Sequence, residues 1–154
     1  MRIHKIRRAN ATDLDDVHRW RNDPMARPMY LNTAEIPREI HRQWFSDSLH
    51  NPLRQMYIGI ADDGRKIGIC RFDYLPAETT AEVFLTLNPE MRGMGLSSEL
   101  LRMSIDTLSE PLGPDTRLWA KIRKQNVPSV RCFLAAGFQQ CSHKEDWVFF
   151  TRSL

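Results

Sequence analysis

NPEMRGMGLSSELL, residues 88–101, places an arginine and two glycines directly before a helical pattern. Gly93 and Gly95 let the backbone adopt conformations closed to other residues and come close to a ligand. The helix that follows begins with N–H groups lacking intrahelical partners, and its positive dipole end favours an anion. Arg92 adds a fixed charge whose forked donors match phosphate. Two readings follow: a loop for phosphate or pyrophosphate, or a plain glycine turn joining a strand to a helix. Two commoner phosphate loops do not fit. The Gly-Lys-Ser/Thr ending of a Walker A loop is absent, and Gly93-x-Gly95 meets Ser98 where a dinucleotide fingerprint needs a third glycine.

Working outward, AEVFLTLN leads into the loop as a strand, and SSELLRMSIDTL leaves it as a helix carrying Leu96, Leu100, Leu101, Ile105 and Leu108 on one side. Upstream, IHKIRRAN reads as a strand. ATDLDDVHRWRND reads as a helix capped by Thr12 or Asp13 and ended by Pro24. REIHRQWFSDSLH reads as a second helix with Ile40, Trp44, Phe45 and Leu49 on its apolar side. RQMYIGIAD and KIGICRFDYL flank Asp62-Asp63-Gly64, a hairpin turn signal. Downstream come the strand TRLWAKI and the helix PSVRCFLAAGF, with Pro128 near its start and Gly137 after its end. Two closing strands, FQQCSHKE and DWVFFTRSL, follow. The order β-αα-βββ-α-β-α-ββ predicts an α/β domain whose sheet mixes hairpins with helix crossovers.

The chain has 154 residues, which predicts one domain over 1–154. Its charge, 22 − 19 = +3, is too small to argue for nucleic acid, though it allows a local basic pocket for a polyanion. No apolar run approaches the ~18 residues of a membrane span, and the N-terminus has no signal-peptide core, so a cytoplasmic protein is expected. Cys70, Cys132 and Cys141 are odd in number and lack CxxC spacing, so neither a disulfide framework nor a metal site is expected.

Two motifs together resemble the GNAT superfamily of N-acetyltransferases over nearly the whole chain. Its pyrophosphate loop reads Arg/Gln-x-x-Gly-x-Gly/Ala, and here Arg92, Gly95 and Ser97 stand at those spacings. Its later segment matches Asn126, Ser129, Phe133, Gly137 and Phe138. The resemblance implies a mixed sheet splayed in the middle, with helices on both faces and acetyl-CoA in the gap. It places pantetheine beside Leu85, Thr86 and Leu87. Pyrophosphate would meet the amides of Gly93, Met94, Gly95, Leu96 and Ser97, and Asn126 and Phe133 would adjoin the cofactor arm. Ser97 replaces the usual small Gly or Ala. Phe133 replaces the tyrosine that in many members protonates the departing thiolate. Lys121 stands where protein-acetylating members often carry a glutamate.

The resemblance implies N-acetylation of a primary amine by direct transfer in a ternary complex, with no acetyl-enzyme. An amine must lose a proton, and its ordinary pKa is near ~10. Glu82, on the strand entering the site, is the first candidate base and His41 a weaker one. HRWRNDP followed by HRQWF is similar to a subgroup containing a UDP-amino-sugar acetyltransferase and ribosomal-protein N-terminal acetyltransferases. On that likeness the expected partner is a small-molecule amine, a nucleotide-linked amino sugar first. Arg21 or Arg27 would meet the diphosphate, and Tyr30, Trp44, Phe45 and Tyr74 would stack on base or sugar. Core packing and a solvated basic face are the competing readings of these residues. Peptide N-termini, and an acyl-CoA-binding domain without catalysis, are the alternatives for the whole chain.

Overall fold

Among the described residues, three register pairs join the two halves of the sheet, and this decides where a ligand can enter. The computed structural model describes residues 1–108 and 112–154. The strands are β1 (Ile3–Arg8), β2 (Arg54–Ala61), β3 (Lys66–Leu75), β4 (Thr80–Leu87), β5 (Arg117–Arg123), β6 (Gln139–Lys144) and β7 (Trp147–Ser153). They form one sheet in the order β1-β2-β3-β4-β5-β7-β6. Every neighbouring pair is antiparallel except β4 and β5. That parallel pair is held only through Thr80–Arg117, Ala81–Leu118 and Glu82–Trp119. β4 is meanwhile paired with β3 along its whole length. From Val83 to Leu87, therefore, β4 has an edge toward β5 without a strand on it.

The helices are α1 (Leu14–Arg21), α2 (Arg38–Leu49), α3 (Ser97–Thr107) and α4 (Val127–Ala135). Side chains alternate across a strand, so each face needs its own cover. On one face Val17, Trp20 and Phe45 of α1 and α2 pack on Met56, Ile58 and Ile69. On the other, Leu101, Ile105, Cys132 and Phe133 of α3 and α4 pack with Tyr57, Phe72, Val83, Leu118 and Phe150. Each buried Ile or Phe adds about 1.5–3 kcal/mol by leaving water.

Two local details differ from the sequence expectation. The first helical segment opens with a 3-10 turn, Ala11–Asp13, capped by Asn10; Asp13, one of the two expected caps, is the N-cap position of α1 but makes no side-chain cap bond. Asp13 is wholly buried and holds Arg7 at 2.8 Å and Lys66 at 2.8 Å. Its carboxylate also accepts from the Asn10 backbone, closing the reciprocal capping box. Ile40 leaves the apolar side of α2, being 62% exposed, while His41 is buried in its place. The hairpin turn at Asp62-Asp63-Gly64 forms as expected, with Gly64 at φ +89°.

Among the described residues no helix is long and apolar enough to cross a membrane, and no cluster of His, Cys, Asp or Glu is placed to hold a metal ion.

Candidate active site

The parting of β4 from β5 opens a cleft of about 410 Å³. Val83 to Leu87 form one wall, and Lys121 and Ile122 the other. Asn126, Ser129, Cys132 and Phe133 close it from α4, and the segment from Met25 to Tyr30 lies across it. Its far end reaches Arg92 and Ser97, at the start of α3.

The opening loop carries the features of an anion cradle. Gly93 and Gly95 sit at φ +75° and +71°, where L side chains are strained, and nothing lies within 4 Å of a Cβ built on either. Leu96 caps α3 without any side-chain hydrogen bond. The first amides of the helix are thus free of a capping side chain, as an anion site requires. Met94 is exposed, and Leu96 turns its side chain into a core cluster. These two can offer backbone only. Arg92 forms an ion pair with Asp23 at 2.5 Å, anchoring the loop to the segment after α1. The uncapped helix start, the open glycine loop and the free edge of β4 together fit the diphosphate and amide arm of CoA.

Asn126 has two roles in the geometry: it lines the cleft, and its side-chain oxygen accepts from the Ser129 amide at 3.4 Å to cap α4. Phe133 is buried against Phe138, ring edge to face at 4.9 Å, and presents no proton donor. Tyr30 supplies a hydroxyl to the same cleft, hydrogen-bonded to Thr86 Oγ1 at 3.1 Å. Burial raises the pKa of that phenol.

A second cavity of about 270 Å³ lies on the α1–α2 face. Arg21, Arg71, His41 and Trp44 line it, together with apolar Val17, Ile36, Ile40 and Ile69. The exposed Ile40 is explained by this cavity. Phe84 and Thr86 line both cavities, so the two meet across β4. Burial lowers His41 to about 4, and its Nε2 lies 3.2 Å from the Leu14 carbonyl. A histidine held neutral at physiological pH adds no charge here.

Glu82 lines neither cavity. It stands on the last paired residue of β4, one position before the cleft opens. Burial first, and then the charge of Asp73, raise its pKa against the opposing pull of Arg71 and Lys121. Tyr74, expected at the substrate, also lines neither cavity. It alternates with Arg71 and Asp73 along β3 and packs against the main core on the other side. Arg27 likewise lines neither cavity. Arg71, which the sequence did not single out, is in the site because β3–β4 register sets it opposite Phe84.

A family model described as an acetyltransferase (GNAT) domain matches residues 5–139. No curated protein matches the chain in sequence at a significant level. Among solved structures, a spermidine N-acetyltransferase from Vibrio cholerae in complex with CoA and spermine superposes with a TM-score of 0.83 at 15% identity, covering 97% of this chain and 94% of that one. A domain from Methanocaldococcus jannaschii superposes at 0.80 with 18% identity, covering 97% of each chain. At those identities the likeness is one of fold. A protein assigned as a phosphinothricin N-acetyltransferase is 26% identical over 97% of both chains, with a TM-score of 0.78.

Proposed function

Because the chain belongs to the acetyltransferase (GNAT) domain family, an acetyl-CoA-dependent group of N-acetyltransferases, we propose that its acceptor is a small primary amine seated in the second cavity. The observation that carries this is the meeting of the two cavities across Phe84 and Thr86. One runs along a free strand edge to Arg92 and Ser97, at the two ends of the glycine loop; the other opens on the opposite face of β4. An amine entering from the α1–α2 side therefore reaches the cleft without displacing the cofactor. That arrangement favours direct transfer in a ternary complex.

Bound in the cleft, acetyl-CoA supplies a thioester carbonyl open to attack by nitrogen. The chain's own residues position and move protons around it. Gly93, Gly95 and the amides through Ser97 receive the pyrophosphate, with Arg92 beside them. The backbone of Leu85, Thr86 and Leu87 pairs with the pantetheine amides as an added strand would. Asn126 and Phe133 pack the arm against α4. Glu82, one position before the cleft opens, takes the amine proton through water. Its raised pKa brings it nearer to the working range of a general base. Tyr30 stands in for the tyrosine replaced by Phe133: its phenol lies in the cleft, and a raised pKa keeps it protonated and able to donate.

A nucleotide-linked amino sugar is supported by the likeness of the N-terminal third and by Arg21 and Trp44 lining the acceptor cavity. Size weighs against the nucleotide part. About 270 Å³ falls below the ~300–1,000 Å³ of sites that enclose drug-sized ligands, so the cavity suits one sugar ring or a comparable amine. Calorimetry with acetyl-CoA, followed by CoA release with small amines, UDP-amino sugars and peptide N-termini, tests the proposal. Binding with turnover on a small amine is expected. Binding with no turnover on any amine would favour a non-catalytic acyl-CoA domain, and no binding at millimolar acetyl-CoA would end the reading.

A further inference from the structure

The acceptor cavity holds two arginines and no carboxylate. Arg71 is clamped between aromatic rings, its guanidinium carbon 3.8 Å from the Phe84 centroid and 5.1 Å from that of Trp44. Its Nε lies 3.3 Å from Asp73 Oδ1, but Asp73 is already engaged by Arg54 through two bonds of 2.8 and 3.0 Å. Among the described residues, the terminal nitrogens of Arg71 make no hydrogen bond. Arg21 stacks on Tyr30 at 3.9 Å and gives one Nη2 bond of 2.8 Å to the Asn32 carbonyl. Its Nη1 is buried with no partner among the described residues. Apart from Thr86 and the neutral His41, the remaining lining is apolar.

A buried cation without a matched anion is costly, and the cost falls when an anion arrives with it. Flat stacking on an aromatic face leaves the edge of a guanidinium, where its N–H donors lie, free for a planar oxyanion. A polyamine would meet the opposite situation: its spare ammonium groups would face two fixed positive charges and, among the described residues, no lining carboxylate. Like charges brought together in a desolvated site repel and select against such a ligand.

Resting on the acetyltransferase reading above, we propose that the acceptor is an amine that also carries an oxyanion, bound by Arg71 and Arg21. The cavity's size and apolar lining favour a small carboxylate, such as an α-amino acid with an apolar side chain. The amine then points past Phe84 and Thr86 toward the cleft. A phosphonate or a sugar-linked diphosphate offers the same oxygen chemistry from another source.

The test compares matched acceptors with the wild-type protein and acetyl-CoA. The panel contains L-leucine, L-methionine, their carboxamides, their 1-aminoalkylphosphonate analogues, a UDP-linked 4-amino sugar and spermidine. The amino acids are expected to exceed their carboxamides in kcat/KM by at least about 100-fold. Arg71→Met should abolish most of that ratio through KM, lowering it about 100-fold for carboxylates and less than threefold for carboxamides. If the phosphonates or the UDP-sugar replace the amino acids as best acceptors, with the same loss in Arg71→Met, the oxyanion site stands and its source is the one found. Spermidine or the carboxamides serving as well as the carboxylates would overturn the inference and leave the acetyltransferase reading intact. Equal loss on both classes in Arg71→Met and in Arg21→Met, with acetyl-CoA affinity unchanged, would also overturn it. Absence of turnover on every amine would instead remove the reading on which it rests.

Discussion

Replacing Gly95 by valine separates cofactor binding from folding. Gly95 lies at φ +71°, and a Cβ placed there has nothing within 4 Å. The free protein therefore meets no clash, only the backbone cost of the left-handed region, about 1–2 kcal/mol for a residue with a side chain. In a chain of 154 residues that lowers Tm by about 2–8 °C. The empty space has another meaning once a pyrophosphate approaches. The valine methyls would stand between it and the amides at the start of α3. Losing two charge-assisted hydrogen bonds, each about 1.5–3 kcal/mol, weakens acetyl-CoA by about 10²–10⁴-fold. Gly64 provides the control: it has φ +89°, the same open surroundings, and a place at the β2–β3 turn. Gly64→Val should show a similar Tm loss and an unchanged Kd. Scanning calorimetry and titration calorimetry on both variants supply the two numbers. An unchanged acetyl-CoA Kd in Gly95→Val, beside the expected loss of Tm, would show that this loop is not where the phosphates bind.

Three further outcomes are expected. Glu82→Gln should lower kcat about 10²–10⁴-fold and flatten the acidic limb of the pH–rate profile. Because burial raises the Glu82 pKa, its stabilising contribution is full below its unfolded value and declines as pH rises through the folded one. The glutamine variant should thus be no less stable at neutral pH, and a kcat change below threefold would remove Glu82 from the proton path. Asp13 stands the other way: burial opposes its ionisation, yet its bonds to Arg7 and Lys66 hold it down at about 2. Its contribution is present above the ordinary value of 3.8 and fades as pH falls toward 2. Asp13→Asn should accordingly cost about 2–4 kcal/mol in urea unfolding at pH 7, with the gap narrowing between pH 4 and 2; an equal gap at both ends would refute the ion-pair account. Cys132→Ala should retain most activity, and mass spectrometry after acetyl-CoA alone should find no acetyl-cysteine. Burial raises this thiol's pKa, which works against a thiolate nucleophile, so complete loss of turnover in a folded variant would reverse the direct-transfer reading.

Local chemistry was legible in the chain itself. Gly93 and Gly95 before a helix, Asn126 before Pro128, and Gly137 after α4 each need only a few neighbouring residues to define a turn or a cap. The structure keeps all of them: positive φ at Gly93, Gly95 and Gly137, and an Asn126 cap on α4. The order of strands and helices was legible for the same reason, because periodicity of 2 or 3.6 is a property of one segment. Whether a side chain faces the core or a cavity depends instead on register between segments far apart in sequence. Tyr74 and Arg71 belong to one strand, yet only Arg71 reaches the site, because its pairing opposite Phe84 fixes which face is which. Ile40 has the helical spacing of a core residue yet lines a cavity, because α2 rests on the sheet through Phe45 and turns His41 toward α1. Tyr30 and Thr86 are 56 residues apart and meet in one hydrogen bond. Arg21 and Arg71 come to line one cavity, with no carboxylate in its described lining, only when α1, β3 and β4 are packed, since charge is a sum over neighbours in space and a sequence orders them along a line.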